Sequence, residues 1–563
     1  MVTKAKPTTK TAAKASPKTK APAKAAKSGT KTPTEPPAAA KRQNKRKAEE
    51  EVEEEQPKVN GVKRHRTKSA TPAPAPTKRQ AAGVLKRVPA AKKPKVKVVI
   101  NQAPTQRLNV YVFGEGSSGE LGLGSAKGSL EVKRPRLNNL LDADTVGVVH
   151  LAVGGMHTAA LTHDNKILTW GVNDQGALGR DTAWEGGLRD IDDDDSDSGS
   201  SESDDEPVVN PKESTPSEVD VSGLPEDVVF TQLTCTDSAT FALTDEGLVY
   251  GWGTFRVSGV PRRGPILNIT NVFKSNEGLF GFNSSTLIQT RPTLIEELKH
   301  ITKIVGGANH VLALQNNGAV YAWGSGQQNQ LGRRILERTK LHSLKPTQFG
   351  LPKKMVNIGV GSYHSFAIHQ NGDVYSWGLN SFGETGIAKD IGEGGESDVH
   401  HPTVIDGLRG RGKVTCIEGG AHHTVAVTDQ GELLVWGRLD GCQLGLKLST
   451  LPEDHVIRDS HDHPRILTVP TQIPGIDAVY ATAGSDHCIA VDKGGKAYAW
   501  GFSTTYQTGL GTDDDVEVAT QIDNTAVRGK KLVWAGAGGQ FSVIAGIAGE
   551  ETTPKVNGIN GHL

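Results

Sequence analysis

The sequence predicts an all-β protein, a seven-bladed β-propeller, and three observations lead to this fold. A short alternating strand ends in an aromatic residue and glycine seven times, at Phe113, Trp170, Trp252, Trp323, Trp377, Trp436 and Trp500. A Gly-rich turn follows, often ending in Leu-Gly, and units close with Gly-x-x-His and a polar hairpin turn. Repeats spaced by roughly 50 to 80 residues are typical of units that bury their apolar faces against their neighbours.

Each unit contains the signals of four strands in a fixed order. Val320 to Trp323 is an aromatic strand, and its Gly-rich turn ends after Gln330. A Pro-Thr strand comes next, as at Pro346, and then a Gly-x-x-His strand, as in Gly154 to Leu161. A turn such as Asn317-Gly returns the chain to the next aromatic strand, which is a strong hairpin signal. The repeat therefore predicts one four-stranded blade, written seven times.

The two ends of the repeat array each lack a partner strand. Leu108 to Phe113 has no preceding Gly-x-x-His strand, and the strand after Gly538 has no following aromatic-glycine strand. These two kinds of strand are hairpin partners at every internal junction. We therefore expect the N-terminal strand to complete the C-terminal blade, which covers edges that would otherwise invite aggregation.

Composition divides the chain into a basic arm (1–106), the propeller (107–548) and a C-terminal tail (549–563). The expected repeats span about 107–165, 166–247, 248–318, 319–372, 373–431, 432–495 and 496–548. The arm carries 27 Lys and Arg against 7 Glu, about +20, which leaves 37 bases and 56 acids, about −19, in the remainder. An acidic insert, 190–206, interrupts the second repeat. Such a division indicates a nucleic-acid or chromatin tether on a module that binds something else.

The arm is rich in Lys, Ala, Pro and Thr and poor in aromatics, so we expect it to be disordered. Two basic clusters have the spacing of a two-part nuclear import signal, formed by Lys78, Arg79, Lys92, Lys93 and Lys95. Lys41 to Lys47 is a second candidate, and a solvated basic linker is the alternative interpretation. The four cysteines form no Cys-x-x-Cys pair, which favours a reducing compartment without a zinc site. The sequence contains no membrane-spanning apolar run.

The motifs together resemble the regulator of chromosome condensation family. The resemblance rests on Gly154-Gly-Met-His-Thr, on Gly171 to Thr182, on Trp252-Gly-Thr-Phe-Arg and on Gly419-Gly-Ala-His-His-Thr. It covers residues 107–548 and implies the family's activity, guanine-nucleotide exchange on the small GTPase Ran without covalent chemistry or a cofactor. A non-catalytic chromatin-bound propeller scaffold is the alternative function.

Comparison between units separates scaffold positions from candidate sites. The histidines His157, His310, His364, His423 and His487 recur, so we interpret them as structural, whereas the two residues before each of them vary. By motif matching, the resemblance assigns the exchange interface to Asp174, Asp237, Phe255, Arg256, Asn309, Arg333 and His422, with Phe255 and Arg256 opening a projecting wedge. Asn309 and Ser117 stand where animal members have Asp, while Ala239 and Phe541 replace the repeated His. The resemblance also implies a nuclear, chromatin-associated protein that contacts histones, DNA and an import receptor.

Overall fold

A computed structural model describes residues 97–126, 128–185, 209–255, 288–336, 342–388, 391 and 397–551. It confirms the seven-bladed propeller, since seven antiparallel sheets each contribute one innermost strand and these strands contact one another in a closed circle. The basic clusters of the arm, the acidic insert and Arg256 lie outside the described residues.

Blades are numbered from the one that contains the N-terminal strand, and strands are given in chain order. Blade 1 holds β1 (Leu108–Glu115), β2 (Glu131–Leu137), β28 (Lys530–Ala537) and β29 (Phe541–Glu551); blade 2 holds β3 (Val148–Val153), β4 (His157–Thr162), β5 (Ile167–Gly171) and β6 (Ser217–Glu218). Blade 3 holds β7 (Phe230–Cys235), β8 (Ala239–Thr244), β9 (Val249–Gly253) and β10 (Gln289–Leu294); blade 4 holds β11 (Ile301–Gly306), β12 (His310–Gln315), β13 (Val320–Gly324) and β14 (Thr347–Gln348).

In the remaining three blades the chain runs from the innermost strand outward, except that β22 of blade 6 lies outside β23. Blade 5 holds β15 (Met355–Val360), β16 (His364–His369), β17 (Val374–Leu379) and β18 (Asp398–Val404). Blade 6 holds β19 (Val414–Gly419), β20 (His423–Thr428), β21 (Leu433–Arg438), β22 (Val456–Arg458) and β23 (Pro464–Gln472), and blade 7 holds β24 (Ala478–Ala483), β25 (His487–Asp492), β26 (Ala497–Gly501) and β27 (Val516–Gln521). The fifth strand of blade 6, β22, comes from an insertion that widens its outer edge.

Short helical turns connect some of these strands. An α-helical turn spans Pro211–Ser214, and 3-10 turns span Asn139–Leu141, Asp406–Leu408, Leu448–Thr450 and Glu453–His455. Within the described ranges, no helix has the length and hydrophobicity needed to cross a bilayer.

Ring closure is confirmed as the sequence predicts. Strand β1 pairs with β29 in antiparallel register from Leu108 with Ile547 to Gly114 with Phe541. Val110, Val112 and Phe113 are fully buried. The N-terminal strand thus fills the position that the aromatic-glycine strand holds in the other blades.

The end of the basic arm departs from the expectation of disorder up to residue 106. The amides of Ile100 and Asn101 donate to the Asp245 carbonyl at 2.8 and 3.0 Å. The Asn101 side-chain amide also donates to the carbonyls of Thr244 and Ile301, both at 2.8 Å. These bonds hold the segment against the hairpin turn of blade 3 and the first strand of blade 4. Composition predicts disorder here because the short apolar run before Asn101 follows a stretch rich in charged residues.

The propeller also extends beyond residue 548, its expected C-terminal boundary. Strand β29 continues to Glu551, where it pairs with Lys530, so the first residues assigned to the tail belong to blade 1. An ion pair between Lys531 and Glu550 at 2.8 Å lies on the same extension.

Deletion of Leu108 to Phe113 is expected to destabilise the whole ring. The loss of three fully buried side chains alone costs about 5 kcal/mol, and β29 gains an open edge. Thermal melting of the deleted protein checks this, with truncation of residues 1–96 as the control because that truncation keeps β1 and the Asn101 contacts. Superimposable melting curves for the intact and β1-deleted proteins would contradict the pairing.

Candidate functional site

The Gly-x-x-His motif has a packing origin. A Cβ atom on Gly361 would lie 2.2 Å from the His364 ring, and one on Gly420 would lie 2.2 Å from the His423 ring. Only glycine leaves room for the imidazole beneath the loop. The glycine after each aromatic is constrained similarly, since Gly378 has φ of +109° and its Cβ would lie 2.5 Å from the Tyr363 carbonyl.

The buried histidines join each blade to the next through a relay of hydrogen bonds. At blades 5 and 6, His364 Nε2 lies 2.9 Å from the Thr424 hydroxyl, which donates to the Glu384 carbonyl at 2.7 Å. The Trp436 indole donates to the same carbonyl at 3.0 Å. We call this set of histidine, hydroxyl or thiol, turn carbonyl and tryptophan the relay.

The same arrangement recurs around the ring. Nε2 contacts the next blade in the pairs His157–Thr240 (2.8 Å), His310–Ser365 (2.8 Å), His423–Cys488 (3.1 Å) and His487–Ser542 (2.8 Å). The shared carbonyls of Ala177, Gln330 and Gln443 each accept from Trp252, Trp377 and Trp500, respectively, at 2.8 Å. These contacts agree with the structural role that repetition predicts for the histidines.

The relay is replaced by apolar packing between blades 3 and 4. Ala239 stands in place of the histidine and Val311 in place of the hydroxyl, and both are fully buried. Phe255 enters this junction, where its ring stacks on Phe241 with centroids 6.3 Å apart. The Trp323 indole Nε1 is buried there without a hydrogen-bond partner among the described residues.

Loops between the first and second strands of the blades form a continuous surface, which we call the rim: residues 154–156, 236–238, 307–309, 361–363, 420–422, 484–486 and 538–540. Backbone bonds link neighbouring rim loops. They run from Asp237 N to Ala308 O (3.1 Å), Ala308 N to Ser362 O (3.3 Å), Ser362 N to Gly420 O (3.0 Å), Ala421 N to Ser485 O (3.1 Å) and Gly539 N to Gly155 O (2.9 Å). Side chains on the rim are therefore carried by a nearly closed circle of hydrogen bonds.

Asp237 and Asn309 lie on adjacent rim loops of blades 3 and 4. Asp237 is half-buried, and its carboxylate lies over Gly155 of blade 2, so near that a Cβ there would be 2.8 Å from Oδ1. Asn309 is only 5% exposed, and its Oδ1 has no hydrogen-bond partner within the described ranges. The sequence predicts the rim position of Asn309 but not its burial.

His422 lies on the rim loop of blade 6, two blades beyond that of Asn309. Its Nδ1 is 3.3 Å from Oε1 of Glu384, a fully buried carboxylate in the turn after β17. The imidazole also packs on Phe382, with ring centroids 4.8 Å apart. About a quarter of the His422 side chain remains exposed, so one side of the ring is available to a partner.

Two of the interface residues that the resemblance implies also make contacts within the propeller. Phe255 is 3% exposed and belongs to the core between blades 3 and 4. Arg333 donates from Nη1 to the Ala322 carbonyl at 3.0 Å, as Arg180 donates to the Thr169 carbonyl at 2.8 Å. Since this contact repeats between blades, Arg333 supports its Leu-Gly turn, and burial lowers its pKa to about 10.

Asp174 is exposed in the turn after β5, on the same side of the ring as the rim. The neighbouring Asn173 organises this turn, because its side chain donates to the Thr182 hydroxyl at 2.9 Å and accepts from the Leu178 amide at 2.9 Å. The exposed carboxylate of Asp174 is thus presented by an ordered loop.

The centre of the ring encloses a channel of about 480 Å³ lined by the innermost strands. Its charged groups already have partners: Lys303 donates to Asn357 Oδ1 at 2.6 Å, and Tyr480 donates to Glu418 at 3.4 Å. Burial lowers the pKa of Lys303 and raises the pKa of Glu418. Lys303 and Glu418 are therefore paired with neighbouring side chains inside the channel.

Fold and rim together define a rigid propeller that presents non-repeated polar side chains to a macromolecule. The chain belongs to the RCC1-like domain family, whose model matches residues 109–544. Protein pim1 of Schizosaccharomyces pombe is 42% identical over 465 residues, which cover 82% of this chain and 78% of that protein. Guanine nucleotide exchange factor SRM1 of Saccharomyces cerevisiae is 38% identical over 451 residues, which cover 78% of this chain and 88% of SRM1.

A solved structure supports the same relationship. Prp20p of Saccharomyces cerevisiae, studied for its binding to Gsp1p and histones, matches with a TM-score of 0.69 and 35% identity. The match covers 81% of this chain and 96% of Prp20p.

Thr424→Val is expected to lower stability by about 1–3 kcal/mol. The substitution preserves shape but leaves the buried His364 Nε2 without an acceptor. Urea unfolding measures the effect. Thr403→Val is the matched control, because the Thr403 hydroxyl contacts the His401 carbonyl at an exposed position. Equal midpoints for both variants would show that the relay contributes nothing.

Stability is expected to fall as the pH drops below about 6.5. Burial lowers the pKa of His310 to about 3, whereas an unfolded histidine titrates near 6.5. Between these values the unfolded chain binds more protons, so stability rises with pH. At pH 5, His310→Gln should take up about one proton fewer on unfolding, as measured by calorimetry in buffers of different ionisation enthalpy. An unchanged proton uptake would contradict the buried neutral histidine.

Proposed function

We propose that this chain is a guanine-nucleotide exchange factor for the small GTPase Ran. Its role would be to promote GDP release and GTP loading on chromatin, in support of nucleocytoplasmic transport and mitosis. The observation that carries the proposal is the match to SRM1, a named exchange factor, along 88% of its length. The rim supports it, since its side chains diverge from the repeat while its backbone is fixed.

Exchange by such a surface needs no covalent step. GTPases hold the nucleotide phosphates with Mg²⁺ and with backbone amides of the phosphate loop. A partner that binds the nucleotide-free GTPase more tightly than the loaded one lowers the barrier to release by that difference in affinity. The direction of exchange then follows from the excess of GTP over GDP. In this sense the chain is a catalyst of exchange without being a covalent enzyme.

The charges of the propeller and the arm support different partners for the two regions. The remainder of the chain beyond residue 106 carries about −19, which complements a basic GTPase surface and raises the association rate. The arm carries about +20, which suits DNA phosphates and an import receptor. We therefore place the protein in the nucleus on chromatin, with the arm and propeller as separate contact regions for DNA and histones.

The decisive experiment measures release of fluorescent GDP from Ran with catalytic amounts of this protein. Asp237→Ala and His422→Ala are expected to slow release about tenfold or more, as truncation of central interface residues does. Asp237→Ala should change stability by less than about 1 kcal/mol, because its side chain does not fill the core. His422→Ala should cost about 1–3 kcal/mol, because it removes a partner of the buried Glu384 carboxylate, so its exchange rate is measured on protein shown to be folded.

Asp406→Ala and His401→Ala are the matched controls, because both residues lie outside the rim loops and are exposed. They should exchange nucleotide at the rate of the intact protein. An intact protein that fails to accelerate release from Ran would overturn the proposal and favour the chromatin scaffold.

A further inference from the structure

Two arginines converge on one aromatic ring beside His422. Phe382 is half-buried in the turn after β17 of blade 5. The guanidinium carbon of Arg438 lies 5.3 Å from the centre of its ring, and that of Arg465 lies 5.1 Å away. Since His422 packs on the same ring, these four residues form one unit, which we call the Phe382 cluster.

The exposed side of the cluster is mainly positive, because the Glu384 carboxylate that contacts His422 is fully buried beneath it. Asp440 accepts from Arg438 and lies 3.8 Å from Arg465 Nε, so two guanidinium groups share one carboxylate. Within the described residues, neither arginine has an ion pair to another carboxylate. The Arg438 and Arg465 side chains remain 34% and 43% exposed. A cationic spot therefore interrupts a propeller whose net charge is strongly negative.

The blade repeat does not require these residues. The position after the aromatic-glycine pair holds Arg438 in blade 6, whereas the other units have Glu115, Val172, Thr254, Ser325, Leu379 and Phe502 there. The turn position of Phe382 is likewise occupied by Ser118, Gln175, Gln328, Gly441 and Thr505 elsewhere. The cluster is thus a specialisation of one junction, continuous with a rim residue already assigned to the exchange surface.

We propose that the Phe382 cluster binds a carboxylate-bearing segment of the GTPase, an inference that rests on the proposed exchange function. Guanidinium groups bind carboxylates through two parallel hydrogen bonds, and this geometry is stronger than a point-charge contact. The aromatic ring holds both guanidinium groups in place before the partner arrives, which reduces the ordering cost of binding. Asp440 occupies one side of each arginine, and the exposed N–H groups are offered to the partner.

The test is steady-state exchange on Ran–GDP by the full chain carrying Arg438→Gln and Arg465→Gln together. The Michaelis constant should rise about tenfold, the loss expected for one charge-assisted hydrogen bond. The turnover number and melting temperature should remain those of the intact protein. Arg465→Lys should restore part of the affinity through its charge, and Arg465→Glu should weaken binding further through repulsion.

Arg528→Gln is the matched control. Arg528 pairs with Asp523 at 2.8 Å in an exposed ion pair outside the rim, so its removal should leave the Michaelis constant unchanged. Raising the salt concentration should reduce the difference in Michaelis constant between the intact protein and the double variant, because salt screens an exposed charge contact.

The possible outcomes separate this inference from the function on which it rests. Suppose that the intact protein catalyses exchange and that the Michaelis constant of the double variant lies within twofold of the intact value. The proposed role of the Phe382 cluster is then wrong, and the proposed exchange function stands. A reduced turnover number with an unchanged Michaelis constant also contradicts that role, and absence of exchange by the intact protein overturns both. If the double variant misfolds, the Michaelis constant of Arg465→Glu is compared with the intact value instead, and a change of less than twofold contradicts the proposal. Competition by GDP alone for the free protein would identify a phosphate as the ligand and reject the carboxylate segment.

Discussion

A buried turn carbonyl that accepts hydrogen bonds from the next blade is the constraint on which the relay junctions of the described residues depend. At blades 5 and 6, the Glu384 carbonyl accepts both the Thr424 hydroxyl and the Trp436 indole, while the hydroxyl is in turn contacted by His364. A buried polar group without a partner costs more than a made hydrogen bond contributes, so the loss of one member leaves another unsatisfied. Between blades 1 and 2, where Phe541 replaces the histidine, Trp170 still donates to the Glu120 carbonyl, but the buried Thr158 hydroxyl has no partner among the described residues.

The junction between blades 3 and 4 follows the same rule by exchanging polar groups for apolar ones. Ala239 and Val311 remove the histidine and the hydroxyl, and Phe255 fills the space. Among the described residues, the Trp323 indole nitrogen and the Asn309 side-chain oxygen are buried at this junction without a hydrogen-bond partner. Both lie close to Asp237, on the side of the ring that carries the candidate exchange surface.

Repetition explains how much of this structure the sequence predicts. The aromatic-glycine pair occurs seven times and the repeated histidine five times, so the fold and its closure can be predicted from the sequence alone. Features that occur only once cannot be predicted in this way. Phe255 is buried where the relay histidine and hydroxyl are missing between blades 3 and 4, and the Phe382 cluster joins residues more than 80 positions apart. The sequence gives only a weak indication that Glu384 has a special role, because Glu or Gln also occupies this turn position at Glu120, Gln330, Gln443 and Gln507.

Rigidity is what allows a surface of this kind to promote exchange. Because the rim loops are joined by backbone hydrogen bonds, little conformational entropy remains to be lost when a partner binds. The interaction free energy is then available to favour one state of the partner over another, and a GTPase without nucleotide is the more deformable state. A flexible loop with the same side chains would adapt to both states and discriminate less. Under the proposed function, the relay would contribute indirectly, because it joins neighbouring blades beneath the rim loops that a bound GTPase would contact.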